Sequence, residues 1–254
     1  MKKIRLLLLL PLFTPLLVRA QTATYVSGCT ANETNAGMSI SCLYPSSQAS
    51  GSLLVINSKK DNTVPDPITS LSVTATLSGV TGTCAQVGNV TNSSNVYTTA
   101  FAACLTSSAG TPTVTLTWNG ATTDAFVDLA SGSYTATNGF PSYTIDRFVS
   151  QSNTAGSTAD SGTTATTTSA NELVVFVSDN WNTAQTYPTA PTSYSSNRTL
   201  SSRNTTGWFD KSVSTIGTQS GSVAINNDVS VAAVLTFPLT STSSPTVSGH
   251  AIIF

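Results

Sequence analysis

Apolar residues in this chain fall into short strings separated by Ser, Thr, Gly, Asn and Pro. One kind of string is continuous. Leu53-Leu54-Val55-Ile56 and Leu173-Val174-Val175-Phe176-Val177 are β-branched or aromatic, too short for helices of their own, and bounded by turn formers. Such runs predict buried strands. The segment Ala170–Asp179, which holds the second run, is placed in the middle of a sheet. A second kind of string alternates. Met38, Ile40 and Cys42 interleave with Ser39 and Ser41, and Val114, Leu116 and Trp118 interleave with Thr113, Thr115 and Thr117. Leu71, Val73, Ala75 and Leu77 follow the same rule. Period two predicts strands buried on one face only. Asn119-Gly120 is a hairpin signal, with Phe126–Leu129 expected to return beside Thr113–Trp118.

Further strands are predicted near Tyr25–Cys29, Tyr97–Leu105, Tyr143–Phe148, Thr199–Arg203, Trp208–Ile216, Ser222–Asn226 and Val229–Phe237. Thr154–Ser169 is low in complexity and reads as a loop plus an exposed edge strand. Asp179–Tyr194 is the longest irregular loop. The pattern predicts an all-β protein, an antiparallel two-sheet β-sandwich. One domain is expected over residues 21–238, with a Ser/Thr/Pro tail at 239–254 that adds an edge strand. An internal echo pairs Val26-Ser27, Asn35-Ala36-Gly37 and Leu53-Leu54-Val55 with Val149-Ser150, Thr154-Ala155-Gly156 and Leu173-Val174-Val175. It points to two similar halves folded into one sandwich.

Residues 1–20 read as a signal peptide: Lys2, Lys3 and Arg5 precede an apolar stretch, Leu6 to Val18, and Ala20 ends a cleavage site. Pro11 and Pro15 and the short apolar length argue against a membrane anchor, and no later stretch is long enough to span as a helix. The chain is therefore expected outside the cell, secreted or at the cell surface. Four of the ten basic residues (Lys2, Lys3, Arg5, Arg19) lie in this leader, leaving six against eleven acidic ones, a net charge of about −5. That balance argues against nucleic-acid binding, which needs clustered Lys and Arg. Thr, Ser and Asn must cover the solvent faces instead.

The four cysteines, Cys29, Cys42, Cys84 and Cys104, are expected as disulfides after export. Three pairings exist, and Cys29–Cys42 with Cys84–Cys104 is preferred because each pair flanks a local strand-turn-strand. Each bridge is worth about 3 kcal/mol on the loop-entropy model. No CxxC spacing favours a metal site instead.

The order of motifs resembles a group of bacterial secreted β-sandwich modules built from GNLLVV-like and TVTVT strands, an acidic-residue-plus-SG turn, and ANELLV and AAxxTF strands. The counterparts here are Gly51-Ser52-Leu53-Leu54-Val55, Thr113–Thr117, Asp128-Leu129-Ala130-Ser131-Gly132, Ala170-Asn171-Glu172-Leu173-Val174 and Ala232–Phe237. The four cysteines depart from that pattern, as does Asp128 where a glutamate is usual. The resemblance implies a jelly-roll-like sandwich, often attached to larger extracellular proteins, and it brings no agreed activity.

Candidate chemistry is thin. His250 is the sole histidine and no GxSxG elbow accompanies it, so a Ser-His-Asp triad is not expected. Paired carboxylates would be needed for glycoside hydrolysis, and Glu33 and Glu172 are the only glutamates. No cofactor is expected, although a structural calcium would suit the oxygen-rich stretches Asp61-Asn62 with Asp66, Asp179-Asn180 with Asn182, and Asn226-Asn227-Asp228. Sugar binding would use exposed rings with amides and carboxylates at their rim. The ligand-binding candidates are Trp181, Tyr187 and Tyr194, with Asp179, Asn180 and Asn182. Trp118 and Trp208 lie in strand patterns and are expected in the core. The function expected is a non-catalytic extracellular binding module for a glycan or surface polymer. The alternatives are a structural or adhesive surface protein and, third, a glycoside hydrolase.

Overall fold

The computed structural model describes residues 20–34, 38–61, 72–91, 97–119, 126–180, 185, 187, 189–194, 198–201 and 205–241. Residues 1–19 of the expected leader (1–20), Trp181, Asn182 and the tail beyond 241 lie outside these. Every regular element among the described residues is a strand, and all pairing is antiparallel. The first half of the chain gives β1 (Ala23–Thr34), β2 (Ser39–Leu43), β3 (Leu53–Asp61), β4 (Ser72–Ser78), β5 (Gly82–Thr91), β6 (Tyr97–Thr106), β7 (Thr113–Asn119) and β8 (Phe126–Ala136). The second gives β9 (Arg147–Thr163), β10 (Glu172–Asn180), β11 (Arg198–Ser201), β12 (Thr205–Val213) and β13 (Ser220–Pro238).

Two five-stranded sheets, β1-β8-β3-β6-β5 and β9-β13-β10-β12-β11, face each other as a sandwich. Leu53, Val55, Phe101 and Tyr134 of the first meet Leu173, Val175, Val177, Trp208, Leu235 and Phe237 of the second. Neither sheet is apolar on that face alone. The opposite face of the first carries Leu54, Ile56, Ala102 and Leu129, covered by Ile40, Val114, Leu116 and Trp118 of a three-stranded sheet, β2-β7-β4. The opposite face of the second carries Val174, Phe176, Phe209 and Val234. Its cover is the far half of the long β9–β13 ribbon, which brings Ala159, Val223 and Ile225 onto it. Gly221 permits that approach, since a Cβ there would lie 2.3 Å from the ring of Phe176. The sandwich is thus four layers deep.

The alternating strings are the covers and the continuous ones are the centres. β7 buries Val114, Leu116 and Trp118 and turns its threonines outward. β10 is buried along its whole length. One expectation fails here: β7 pairs with β2 and β4, whereas β8 pairs with β1 and β3. The two strands flanking Asn119-Gly120 therefore do not form a hairpin with each other. Both bury apolar side chains in the same interlayer core, which puts them in facing layers rather than side by side. Strand β1 also runs on through Thr30–Thr34, past the predicted Tyr25–Cys29 strand.

The two central sheets share one wiring, with β1, β3, β5, β6 and β8 corresponding to β9, β10, β11, β12 and β13. The row Gly28–Gly132–Val55–Ala103 in one matches Phe148–Leu235–Val175–Asp210 in the other. This register aligns Leu53-Leu54-Val55 with Leu173-Val174-Val175, as the sequence echo does. It matches Val149 to Cys29 rather than Val26, so that part of the echo is three residues out. It also aligns Thr98-Thr99-Ala100-Phe101 with Thr205-Thr206-Gly207-Trp208, a match the echo missed.

Both expected disulfides form. Cys29–Cys42 ties β1 of the first central sheet to β2 of its cover, and Cys84–Cys104 joins directly opposed residues of β5 and β6. Trp118 and Trp208 are buried as expected. The indole of Trp208 lies flat on β8, where a Cβ at Gly132 would meet it at 3.1 Å. Gly132→Val is therefore expected to destabilise the fold by about 1–3 kcal/mol through overpacking. Gly217→Ala, where no atom lies within 4 Å of the added carbon, should stay within about 0.5 kcal/mol of wild type. Urea unfolding of the two variants checks the contrast.

Candidate functional site

Three polar constellations stand out, and the first contains Asp179, Asn180 and Tyr187 of the residues expected to bind ligand. Asp179 is at the end of β10, and its side chain points between the central sheets. Lys59 of β3 meets it there at 3.1 Å, both side chains being buried. Thr99 donates to Asp179 Oδ2 at 3.2 Å, and Thr206 donates to Oδ1 at 3.4 Å. The Lys59 ammonium also donates to the Asn180 carbonyl at 2.8 Å. Lys59 and Asp179 occupy equivalent places in the two halves, four residues beyond Val55 and Val175. The ion pair therefore joins matched positions of the repeated architecture.

Asn180 is fully buried and its amide donates to the hydroxyl of Tyr187. Tyr187 in turn donates to the Ser178 carbonyl at 3.0 Å, and its ring stands edge-on to Phe209. Tyr194 packs its ring on Phe176 and donates to the Ser220 carbonyl at 3.0 Å. The expected free ring faces are thus not there: Tyr187 and Tyr194 are 4% and 8% exposed. Their hydroxyls and rings anchor the loop to sheet and ribbon, which a lone sequence cannot distinguish from display. Asp179 is likewise engaged by a lysine rather than offered to solvent. Among the described residues, no cluster of three His, Cys, Asp or Glu side chains could hold a metal ion.

The second constellation is a pair of carboxyls, Glu172 at the start of β10 and Asp146 before β9. Asp146 accepts from Thr168 N–H at 2.5 Å and Thr168 Oγ1 at 2.6 Å, and pairs with Arg147 at 3.3 Å. Burial works to raise its pKa, but these donors hold it below the ordinary value. Glu172 is fully buried and neither oxygen has a hydrogen-bond partner of normal geometry. Burial, with the neighbouring Asp146 carboxyl, pushes it up to about 7. The chain between β9 and β10 meets the pair through Thr168, which donates to Asp146. The Glu33 side chain and His250 lie outside the described residues.

The third is an open pocket of about 270 Å³ that sequence reading missed. Pro191, Thr192, Ser193 and Tyr194 line one side, and Thr218 with Ser220, Gly221 and Ser222 of the ribbon lines the other. Lys211 of β12 enters from below, its Nζ 4.5 Å from the centroid of the Tyr194 ring and 3.4 Å from Ser193 Oγ. Burial lowers its pKa. Ser193 holds a left-handed backbone, φ 71°, which turns the loop over the lysine. Tyr194 was legible as a candidate. Lys211 was not, because only the fold carries β12 beneath that loop.

Two predictions follow from these groups. Asp179→Ala strands the buried Lys59 charge and should cost about 3–5 kcal/mol in chemical denaturation. The double change Lys59→Met with Asp179→Leu should cost less than that single change, because no ion is left unpaired. For Glu172 the folded pKa is above the ordinary 4.5, so its contribution is whole below that pH and drains away as pH rises through about 7. Glu172→Gln, which stays neutral, should unfold at a higher temperature than wild type at pH 8 and show no such advantage near pH 4.5. Thermal melts across that range check the sign.

No protein-family model, no curated protein and no solved structure matches this chain.

Proposed function

We propose that this protein is a non-catalytic extracellular binding module for a glycan or another surface polymer. Its contact site is the pocket between the Pro191–Tyr194 loop and the ribbon strand β13. The single observation that carries the reading is the lining: serine and threonine hydroxyls ring an open cleft that holds one positioned ammonium. Hydroxyls both donate and accept, which suits a ligand made of hydroxyls. The leader expected at residues 1–20 and the two disulfides support an extracellular setting. The resemblance to secreted sandwich modules supports attachment to, or action beside, a larger extracellular assembly. Catalysis is not part of the reading, which rests on the hydroxyl-lined pocket and its ammonium.

A second reading, a structural or adhesive surface protein, rests on the outer face of the β2-β7-β4 sheet. Ser39 pairs with Thr117 and Ser41 with Thr115, each at 2.7 Å, and Asn119 donates to Thr74 at 2.8 Å. These rows make a charge-free hydroxyl surface whose spacing is set by the sheet. Sedimentation at high protein concentration separates the two: self-assembly favours this face, and a strict monomer counts against it.

The binding reading is tested by screening the exported protein against a polysaccharide array. Thr192→Trp fills the pocket mouth from an exposed position and should abolish capture with an unchanged melting temperature. Trp181→Ala tests the aromatic candidate named from the sequence, and it is expected to weaken capture. Undiminished binding by Thr192→Trp would remove the pocket from the account.

A further inference from the structure

The state of the Lys211 ammonium bears on which ligand this pocket can hold. Among the described residues no carboxylate pairs with it, although the other ion pairs are made: Lys59 with Asp179, Arg147 with Asp146, Arg198 with Asp210. The Lys211 side chain lies on the outer face of its sheet, in step with Phe209 and Val213 at the margin of that core. Its ammonium has exchanged part of its hydration for one ring face and one long contact to a serine hydroxyl. A ring face and a hydroxyl offer partial negative charge and no counter-ion. Asp160 is across the ribbon from the pocket residue Ser222, and its carboxylate is already held by the Gly162 N–H at 2.6 Å.

The ring also changes what the pocket can recognise. Tyr194 has Phe176 beside it and the Lys211 ammonium over it. It therefore works as a seat for the cation and not as a stacking platform for a sugar. What the pocket presents is a fixed positive charge circled by donors from Thr192, Ser193, Thr218, Ser220 and Ser222. An anionic oxygen entering it would regain for Lys211 the counter-charge it lacks and form a short, charge-assisted hydrogen bond. The volume suits a single sugar residue of a longer chain rather than a large ligand.

We propose that this pocket selects an acidic glycan, with Lys211 taking the carboxylate or sulfate of one sugar residue and the hydroxyl rim taking its neighbouring hydroxyls. The inference rests on the binding-module reading and narrows its ligand class. Surface charge alone would not produce this choice, because the mature chain is acidic overall and repels polyanions except where a cation is fixed.

The test measures binding of the full exported protein to a polyuronate, a sulfated polysaccharide and neutral dextran by calorimetry at low and high salt. The expected result is binding to one or both charged polymers, little or none to dextran, and clear weakening as salt rises. Lys211→Met should lose about tenfold or more in affinity, while Lys211→Arg keeps the charge and most of the binding. Circular dichroism and melting temperature establish that each variant is folded. Ser222→Trp, which blocks the pocket and leaves Lys211 in place, serves as the second probe should Lys211→Met fail to fold. Preference for the polyuronate over the sulfated polymer, or the reverse, separates the two acid types. Equal binding of dextran and charged polymers, unchanged in Lys211→Met, would overturn the acidic-glycan proposal and leave the binding module standing. No binding to any of the three sinks both.

Discussion

The structure depends on one constraint: both central sheets are apolar on both faces. Strands β3 and β10 bury every side chain whose environment is described, so each sheet needs an apolar partner above and below it. Two sheets packed together satisfy only the inner pair of faces. The remaining two must be covered, and the chain covers them in two ways. In the first half it builds a separate three-stranded sheet. In the second it lets β9 and β13 run on as one long ribbon and bend over. Cys29–Cys42 covalently fastens the separate cover, and the continuous backbone of the ribbon fastens the other.

The inner interface combines apolar packing with two charged links. Lys59–Asp179 lies deep, and Arg198–Asp210 lies nearer the edge, with the guanidinium stacked 3.8 Å from the Tyr25 ring centroid. Tyr134 accepts from the Trp208 indole at 2.7 Å beside the same aspartate. Buried ions cost several kcal/mol each in lost hydration, offset only when geometry and extra hydrogen bonds are good. Here Thr99, Thr206 and the Asn180 carbonyl complete the inner pair. The pair joins equivalent positions of two matching sheets, so it ties the two halves together at a matched point.

Much of this was legible from residue order. The alternating Thr113–Trp118 string announced a one-faced strand, and the continuous Leu173–Val177 string announced a buried one, because side-chain direction alternates along a strand whatever surrounds it. The core tryptophans and the cysteine pairing were also legible, the latter because each bridge closes a short loop. The expected ligand site was less so. Asp179, Asn180, Tyr187 and Tyr194 carry the chemistry of a sugar site, but the same atoms can equally anchor a loop. The choice was made by Lys59, 120 residues away, and by Phe176 and Phe209 beneath the rings. Asn119-Gly120 misled for a related reason: a turn signal states that the chain reverses, and not whether the returning strand joins the same layer.

The sequence by itself determined where most of the strands lie, which faces of them shun water, and that little charge remains to bind a polyanion broadly. Those are local properties, set by backbone sterics and side-chain polarity within a few residues. Tertiary structure alone decided the four-layer depth, the burial of Asp179 against Lys59, and the lone ammonium of Lys211 beneath the Tyr194 loop. These depend on which distant strands come to lie opposite one another, and free energies of pairing across the whole chain, rather than any single segment, settle that.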